Sequence, residues 1–391
     1  MSACWPAVKG DVRHLRWLGQ SLAIGLLLAL TLWIYWPGQY GPALLDDKSS
    51  LNVLGLLADP ALASDVVFGD TSGPTGRPVS MASFVLERLI HDGGISGSKR
   101  VNIFLHALNG LLVYGFLRLL LARLELVGGA LIAAAFAGLW LLAPIQVSTV
   151  LYAVQRMAML AATWVLCSGI AYLYWRRALD AGRLAPGRLL LVALFVLLAV
   201  FTKEIALVVV PLLVLMEALW LQYEGRDGKV MPWLRRINLW LVWGGAAVAV
   251  LLLVLGWDWL AGRYGPRDFS LEERVLTQGR VLWDYLGQIV WPELDRLGLY
   301  HDDVEVSRSL FEPRATLLAW LAWSGVLVAL VIALRWPWGR RLVFGPLFYL
   351  VGHSLESSVW PLEIYFEHRN YLPGVGLAIA GASMLGMLVQ R

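Results

Sequence analysis

The stretch Leu189–Met216, LLLVALFVLLAVFTKEIALVVVPLLVLM, is apolar from end to end except for Thr202-Lys203-Glu204 near its middle. An uninterrupted helix of that length would run about 40 Å, past a bilayer hydrocarbon core of about 30 Å. An ionisable side chain at the centre of that core costs at least about 2.5–3.5 kcal/mol. The stretch therefore reads as two shorter spans with Lys203-Glu204 at the hairpin between them.

The rest of the protein agrees with that reading. Of its 391 residues 59% are hydrophobic and 15% charged, and the mean hydropathy is +0.65. A soluble enzyme would carry roughly a quarter charged residues. Twenty Trp exclude a disordered protein, and two cysteines, Cys4 and Cys167, exclude a disulfide scaffold. What remains is an all-α polytopic membrane protein, a single integral membrane domain over residues 1–391. In such a protein the net charge of +4 matters less than the side on which each charge lies, and no nucleic-acid partner is expected.

Apolar runs of spanning length occur at about residues 15–36, 100–121, 126–143, 157–175, 188–202, 205–222, 238–256, 315–334, 342–360 and 371–389, which predicts ten transmembrane helices. Lys9, Arg13 and Arg16 against Asp11 alone put the N-terminus in the cytoplasm, and an even number of spans returns the C-terminus there. The first run is too long and Trp-rich for a cleaved signal peptide. On the same side fall Arg118, Arg123, Arg176, Arg177, Arg183, Arg188, Arg226, Lys229, Arg235, Arg236, Arg335, Arg340 and Arg341, while most acids fall on the other. Residues 37–99 and 257–314 are too long for turns and predict two structured extracytoplasmic loops. Within the second, Arg274–Trp291 reads as a surface-lying amphipathic helix.

Five polar clusters fall at the outer ends of these spans. Asp46-Asp47 follows the first span by some ten residues. Tandem carboxylates can supply a general base or hold a divalent cation such as Mg2+ or Mn2+, and they also read as a solvated loop or helix cap. Arg77-Pro78, after the turn Gly73-Pro74-Thr75-Gly76, could clamp a phosphate or anchor the loop to headgroups. The run Pro144–Arg156 would place Gln146 and Arg156 at an outer cavity if it forms a short interfacial helix. Lys203 could hold a lipid phosphate with Glu204 orienting it, or the two could form a local ion pair. In Glu363–Pro373, Glu363 and Glu367 share a helical face, with His368 and Arg369 beside them and His353 and Glu356 below. Within the membrane, Asn102, His106 and Asn109 form a stripe read as interhelical hydrogen bonding.

Leu45-Asp-Asp-Lys-Ser, Gly76-Arg-Pro-Val, Asn102–Asn109, Pro144–Arg156, Lys203-Glu204 and Glu356–Pro373 together resemble the GT-C-fold glycosyltransferases. The resemblance is nearest to the transmembrane-and-tetratricopeptide protein O-mannosyltransferases and bacterial pilin arabinosyltransferases, and it runs along nearly the whole sequence. Ala143 and Lys99 stand where that group often carries His, and no tetratricopeptide repeats follow in this sequence. The resemblance implies an inverting transferase of the bacterial inner membrane, using a polyprenyl-phosphate-linked sugar at a periplasmic site. Asp46 or Asp47 would act at its catalytic centre, with Arg156, Lys203 and Arg369 near the phosphate.

Elementary chemistry asks for the same groups. A lipid-anchored phosphate leaving group needs cations at the membrane edge, and an acceptor hydroxyl needs a carboxylate to take its proton. Arg77 would add to the phosphate site, and Glu204, Glu363, Glu367 and His368 would bind sugar or acceptor. The expected acceptor is Ser or Thr of an exported protein such as a pilin, with a surface glycan or lipid as the alternative. A transporter or flippase of a lipid-linked sugar, and a non-catalytic scaffold of glycan assembly, are the competing functions.

Overall fold

The computed structural model describes residues 11–390 apart from 72, 74, 75, 92, 127 and 226, and the side chains of residues 11–18 are not described. Cys4 and Lys9, Pro74 and Thr75 of the expected turn, Arg226 and Arg391 lie outside the described residues, as do the side chains of Arg13 and Arg16. Among the described residues the protein is all-helical, without β-strands. The helices run α1 (Asp11–Tyr35), α2 (Asp47–Leu51), α3 (Ala63–Phe68), α4 (Pro78–Ile90), α5 (Gly94–Leu121) and α6 (Gly129–Leu141). There follow α7 (Val147–Leu151), α8 (Arg156–Asp180), α9 (Pro186–Val200), α10 (Val209–Leu215) and α11 (Pro232–Leu255). The last are α12 (Trp257–Gly262), α13 (Leu271–Val290), α14 (Arg314–Ala333), α15 (Pro337–His353) and α16 (Gly374–Gln390).

Each apolar run holds a helix, and among the described residues six are long and apolar enough to cross a membrane: Gly19–Tyr40, Gly94–Leu124, Ala153–Asp180, Glu204–Leu221, Pro232–Leu255 and Arg314–Ala333. The other four, α6, α9, α15 and α16, have 13, 15, 17 and 17 residues. At 1.5 Å per residue these fall short of a full crossing by themselves. The bent pair α6 and Pro144–Leu151, at 54°, makes one further candidate span. In the ninth run the helix begins at Pro337 and ends at His353, and 354–359 are turns, with Ser354 N–H bonding three residues back to Val351 O.

α5 and α8 lie at the centre, with 56% and 61% of their apolar windows buried, against 6% for α11 and 11% for α14. Hydrocarbon does not drive helices together, so polar bonds and close packing must hold this centre. The α5 stripe supplies the first. His106 Nε2 donates to Leu141 O at 2.9 Å, and its Nδ1 accepts from the Tyr371 hydroxyl at 2.9 Å. Asn109 Nδ2 donates to Tyr371 Oη and to Met159 O, both at 3.0 Å. Trp140 Nε1 donates to Tyr371 O at 3.1 Å, so α5, α6 and the entry to α16 are tied at one tyrosine. The reading of the stripe as interhelical glue holds.

Two glycines supply the close packing. A Cβ on Gly345 of α15 would lie 2.6 Å from both Gly376 O and Ala380 N, and one on Gly376 of α16 would lie 2.6 Å from Tyr349 N. These backbones touch, and α16 begins only a few residues after Arg369. Residues 37–99 and 257–314 each build their own apolar cluster. The first gathers Leu51, Leu57, Val66, Met81, Phe84 and Val85 against Tyr152–Val154 and Met157. The second gathers Val281 and Tyr285 of α13 against Ala143, Ile145, Ile364 and Tyr365. α13 is amphipathic as expected, but its apolar face lies on protein, and Ser270 and Glu273 close a capping box at its start.

Gly376→Leu should cost about 1–3 kcal/mol by overpacking. Thermal unfolding in detergent would register this as a lower melting temperature, and an unchanged one would show that the α15–α16 approach is dispensable.

Candidate functional site

The hairpin after α9 explains how two adjacent charges reach different partners. Lys203 is extended, φ −160° and ψ 142°, so its side chain and that of Glu204 leave on opposite sides. Lys203 Nζ lies 3.3 Å from Glu356 Oε1. Glu204 instead takes both Nη2 (2.9 Å) and Nε (3.1 Å) of Arg77. The alternative of a local Lys203–Glu204 pair does not form, and Arg77 and Glu204, expected at phosphate and at sugar or acceptor, are instead paired with one another. Arg77 sits in the left-handed region at φ 48°, a conformation costing a non-glycine residue of order 1–3 kcal/mol, offset by the bidentate pair. Val79 N donates to Phe201 O and Ser80 Oγ to Thr202 O, which docks α4 on the same hairpin.

Asp46 and Asp47, equivalent in sequence, take opposite roles. Asp47 is fully buried and accepts from Leu44 N at 2.9 Å and Val154 N at 2.8 Å. Burial raises its carboxyl above the ordinary aspartate value, opposed by those N–H groups and by Lys99. It anchors the turn. Asp46 stands exposed immediately before α2 without a side-chain capping bond, and its N–H donates to Tyr152 Oη at 2.8 Å. Burial, and after it the Asp46 carboxylate, raises the Tyr152 hydroxyl, which keeps it un-ionised. Tyr152 in turn packs edge-on against His368, ring centroids 6.4 Å apart.

His368 is half-buried and stacked on Phe366 at 4.9 Å. Burial, with Lys203 next in importance, pushes its imidazole down to about 3, so it is neutral near pH 7. Arg369 is buried, gives Nη1 to Ile364 O at 3.1 Å and lies over Phe366. The rest of its guanidinium has no acceptor among the described residues. Lys203, Arg369 and the Arg274 guanidinium against Glu356 leave positive charge in excess in a buried setting, where an anion is held far more strongly than in water.

Arg156 is corrected from a cavity-facing cation to a structural rivet. It is 1% exposed and pairs with Glu87 at 2.5 Å. Its Nε donates to Asn102 Oδ1 and its Nη2 to Ser98 O, each at 3.0 Å. Its guanidinium also covers Phe84 at 4.2 Å. Gln146 is buried too, with Oε1 unpartnered. Glu363 and Glu367 do not share a face toward the centre, because 363–366 is not helical. Exposed Glu363 pairs with Arg267, and buried Glu367 accepts from Gly298 N at 2.7 Å and lies 3.3 Å from His301 Nε2. No three His, Cys, Asp or Glu among the described residues group as metal ligands. With both Asp47 oxygens committed to backbone N–H groups, the tandem pair does not fit a cation as folded. Trp257, Trp259, Trp291 and Trp360 are exposed at the periphery, which suits belt residues.

Arg274 of α13 carries no local sequence signal. Fully buried, it donates to the carbonyls of Glu356 (2.7 Å), Ser358 (3.1 Å), Glu363 (2.8 Å) and Leu362. These acceptors lie 82 to 89 residues away in sequence, beyond any periodicity argument. Tyr152 and Glu356 had weak signals, one as the aromatic in a polar run, the other three residues after His353. No protein-family model, curated protein or solved structure matches the sequence.

Removing Arg156 would strand the Glu87 carboxylate, so Arg156→Leu should cost about 3–5 kcal/mol of stability. Melting in detergent measures this, and a stable Arg156→Leu protein with weakened phosphate binding would reverse the assignment. His301 has its pKa raised above 6.5: burial lowers it, but the hydrogen bond and charge of Glu367 outweigh burial. The protonated pair therefore contributes in full below the ordinary histidine value and is lost as pH rises through the raised one. Proteolysis of residues 291–313 should accelerate from roughly pH 6 to roughly pH 9 in wild type and lose that dependence in Glu367→Gln.

Proposed function

We propose that the protein is a GT-C-like glycosyltransferase that moves a sugar from a polyprenyl-phosphate carrier to an extracytoplasmic acceptor, with Ser or Thr of an exported protein such as a pilin as the expected one. The reading includes ten spans, both termini in the cytoplasm and a periplasmic site in a bacterial inner membrane. It rests on one observation: an exposed carboxylate, Asp46, stands on a turn pinned by Asp47 and Tyr152, and Tyr152 packs on His368 at the junction where buried Lys203 and Arg369 act on Glu356.

The acceptor hydroxyl gives its proton to Asp46 as its oxygen bonds to the anomeric carbon. The carbon–oxygen bond to phosphate breaks, and its electron pair leaves with the phosphate, whose charge Lys203 and Arg369 neutralise. One displacement inverts the anomeric centre. Arg77 and Glu204, occupied with one another, hold the first segment over the hairpin. Arg274 positions Glu356 through its backbone. A transporter would distribute ionisable groups through the membrane depth. Here the charged pairs gather at two ends, this one and the Arg123–Asp180–Arg176–Glu217 network.

Asp46→Asn should reduce the sugar mass on exported proteins by about 10²–10⁴-fold in rate at normal protein level, the usual worth of a positioned base. Asp47→Asn should act through the amount of folded protein. Intact-mass measurement of exported proteins beside membrane immunoblots separates the two, and undiminished transfer by Asp46→Asn would end this assignment.

A further inference from the structure

α15 runs from Pro337 to His353, so its start lies one helix length, about 25 Å, from the Lys203–Glu356 junction near its end. Three arginines gather at that start: Arg335 and Arg340 are exposed, and Arg341 is half-buried. Trp336 and Trp338 stand among them, exposed and stacked with ring centroids 5.7 Å apart. Tryptophans so placed suit the headgroup level of a bilayer. Val328 and Val331, near the end of α14, add exposed apolar surface leading into the same turn.

Arg341 keeps donors unspent. Its Nε is buried and has no partner among the described residues. Glu224 attracts it through charge alone, without a hydrogen bond, and Arg123 repels it. The cations deeper in this end are engaged by protein, Arg123 with Asp180 at 2.6 Å and Arg176 with Glu217 at 2.9 Å. Arg335, Arg340 and Arg341 against Glu224 leave positive charge in excess. A buried donor is rarely left without an acceptor, so one from outside the polypeptide is called for.

We infer that the start of α15 binds the phosphate of an anionic membrane lipid, held by Arg341, with Trp336 and Trp338 against the glycerol and acyl chains. The inference stands apart from the transferase reading. The planar fork of a guanidinium matches two phosphate oxygens at once, and basic pockets between membrane helices take anionic headgroups. Cations beside exposed Trp and Val side chains suit an amphiphile better than a free ion.

The full-length protein, delipidated in detergent, is titrated with phosphatidylglycerol and separately with phosphatidylcholine, and bound lipid is counted by native mass spectrometry. Wild type should hold phosphatidylglycerol at least about tenfold more tightly than phosphatidylcholine, and Arg341→Leu should lose most of that preference. Arg183→Leu, which removes an exposed arginine from the connection after α8, should keep it. Should Arg341→Leu not fold, Arg341→Lys retains the charge and removes the fork, and it should weaken phosphatidylglycerol retention. Equal affinity of wild type for the two lipids, or equal loss in Arg341→Leu and Arg183→Leu, overturns the site. So does undiminished retention by a folded Arg341 variant. Displacement of phosphatidylglycerol by millimolar inorganic phosphate would show that a free anion fills the site and would overturn the lipid assignment.

Discussion

Lys203 and Glu204 sit where the backbone turns at the margin of its apolar helices, and the fold depends on how their charges are neutralised. Desolvating either ion costs several kcal/mol unless a partner and further hydrogen bonds compensate. A pair formed between these neighbours would have satisfied the charges and connected nothing. Extended backbone at Lys203 sends them apart instead, to Glu356 and to Arg77. One hairpin is thereby tied to the first long segment on one side and to the entry of the last helix on the other. The second long segment joins the same junction through Arg274, whose guanidinium gathers the carbonyls around Glu356.

That demand for neutralisation also separates the charges that hold the fold from those left for chemistry. Arg156 and Asp47 are buried and have their polar atoms engaged by protein. Groups so committed make a frame, and an anion or a proton can reach them only by breaking it. Asp46 and Arg369 keep capacity unspent, the first by exposure and the second by a guanidinium with one protein acceptor. A neutral His368 between Tyr152 and Phe366 adds a polar surface without adding charge. Local net charge at the junction is then set by Lys203, Arg369, Arg274 and Glu356.

The membrane-facing part follows a different rule. α11 and α14 expose most of their surface, and their exposed Leu, Val and Trp side chains suit hydrocarbon as solvent. α5 and α8 cannot, because Asn102, His106, Asn109 and Thr163 must find partners away from lipid. They find them in each other, in Tyr371 and in the Val150–Ala153 carbonyls. Tyr371 sits two residues after Arg369, so the same buried knot that orders the bundle also sets the height at which Arg369 emerges.

Much of this was legible along the sequence, because the cost of burying charge and unpaired backbone acts locally. Apolar runs located the helices, the Asn102–His106–Asn109 spacing identified the interior face of α5, and Lys203-Glu204 marked a hairpin. The α13 amphipathicity was readable for the same reason. Pairing was not readable. Whether Glu204 meets Lys203 or Arg77, which of two adjacent aspartates is buried, and whether Arg156 faces a cavity or Glu87 all depend on contacts between segments tens to hundreds of residues apart. The apolar run at 342–360 overstated α15 at its end, since residues 354–359 are turns. The sequence by itself determined that this is an all-helical membrane-type protein with polar clusters at its helix ends. Only the tertiary structure decided which charges are spent on one another and which stay free, since a side chain's partner is set by where the backbone brings distant residues together.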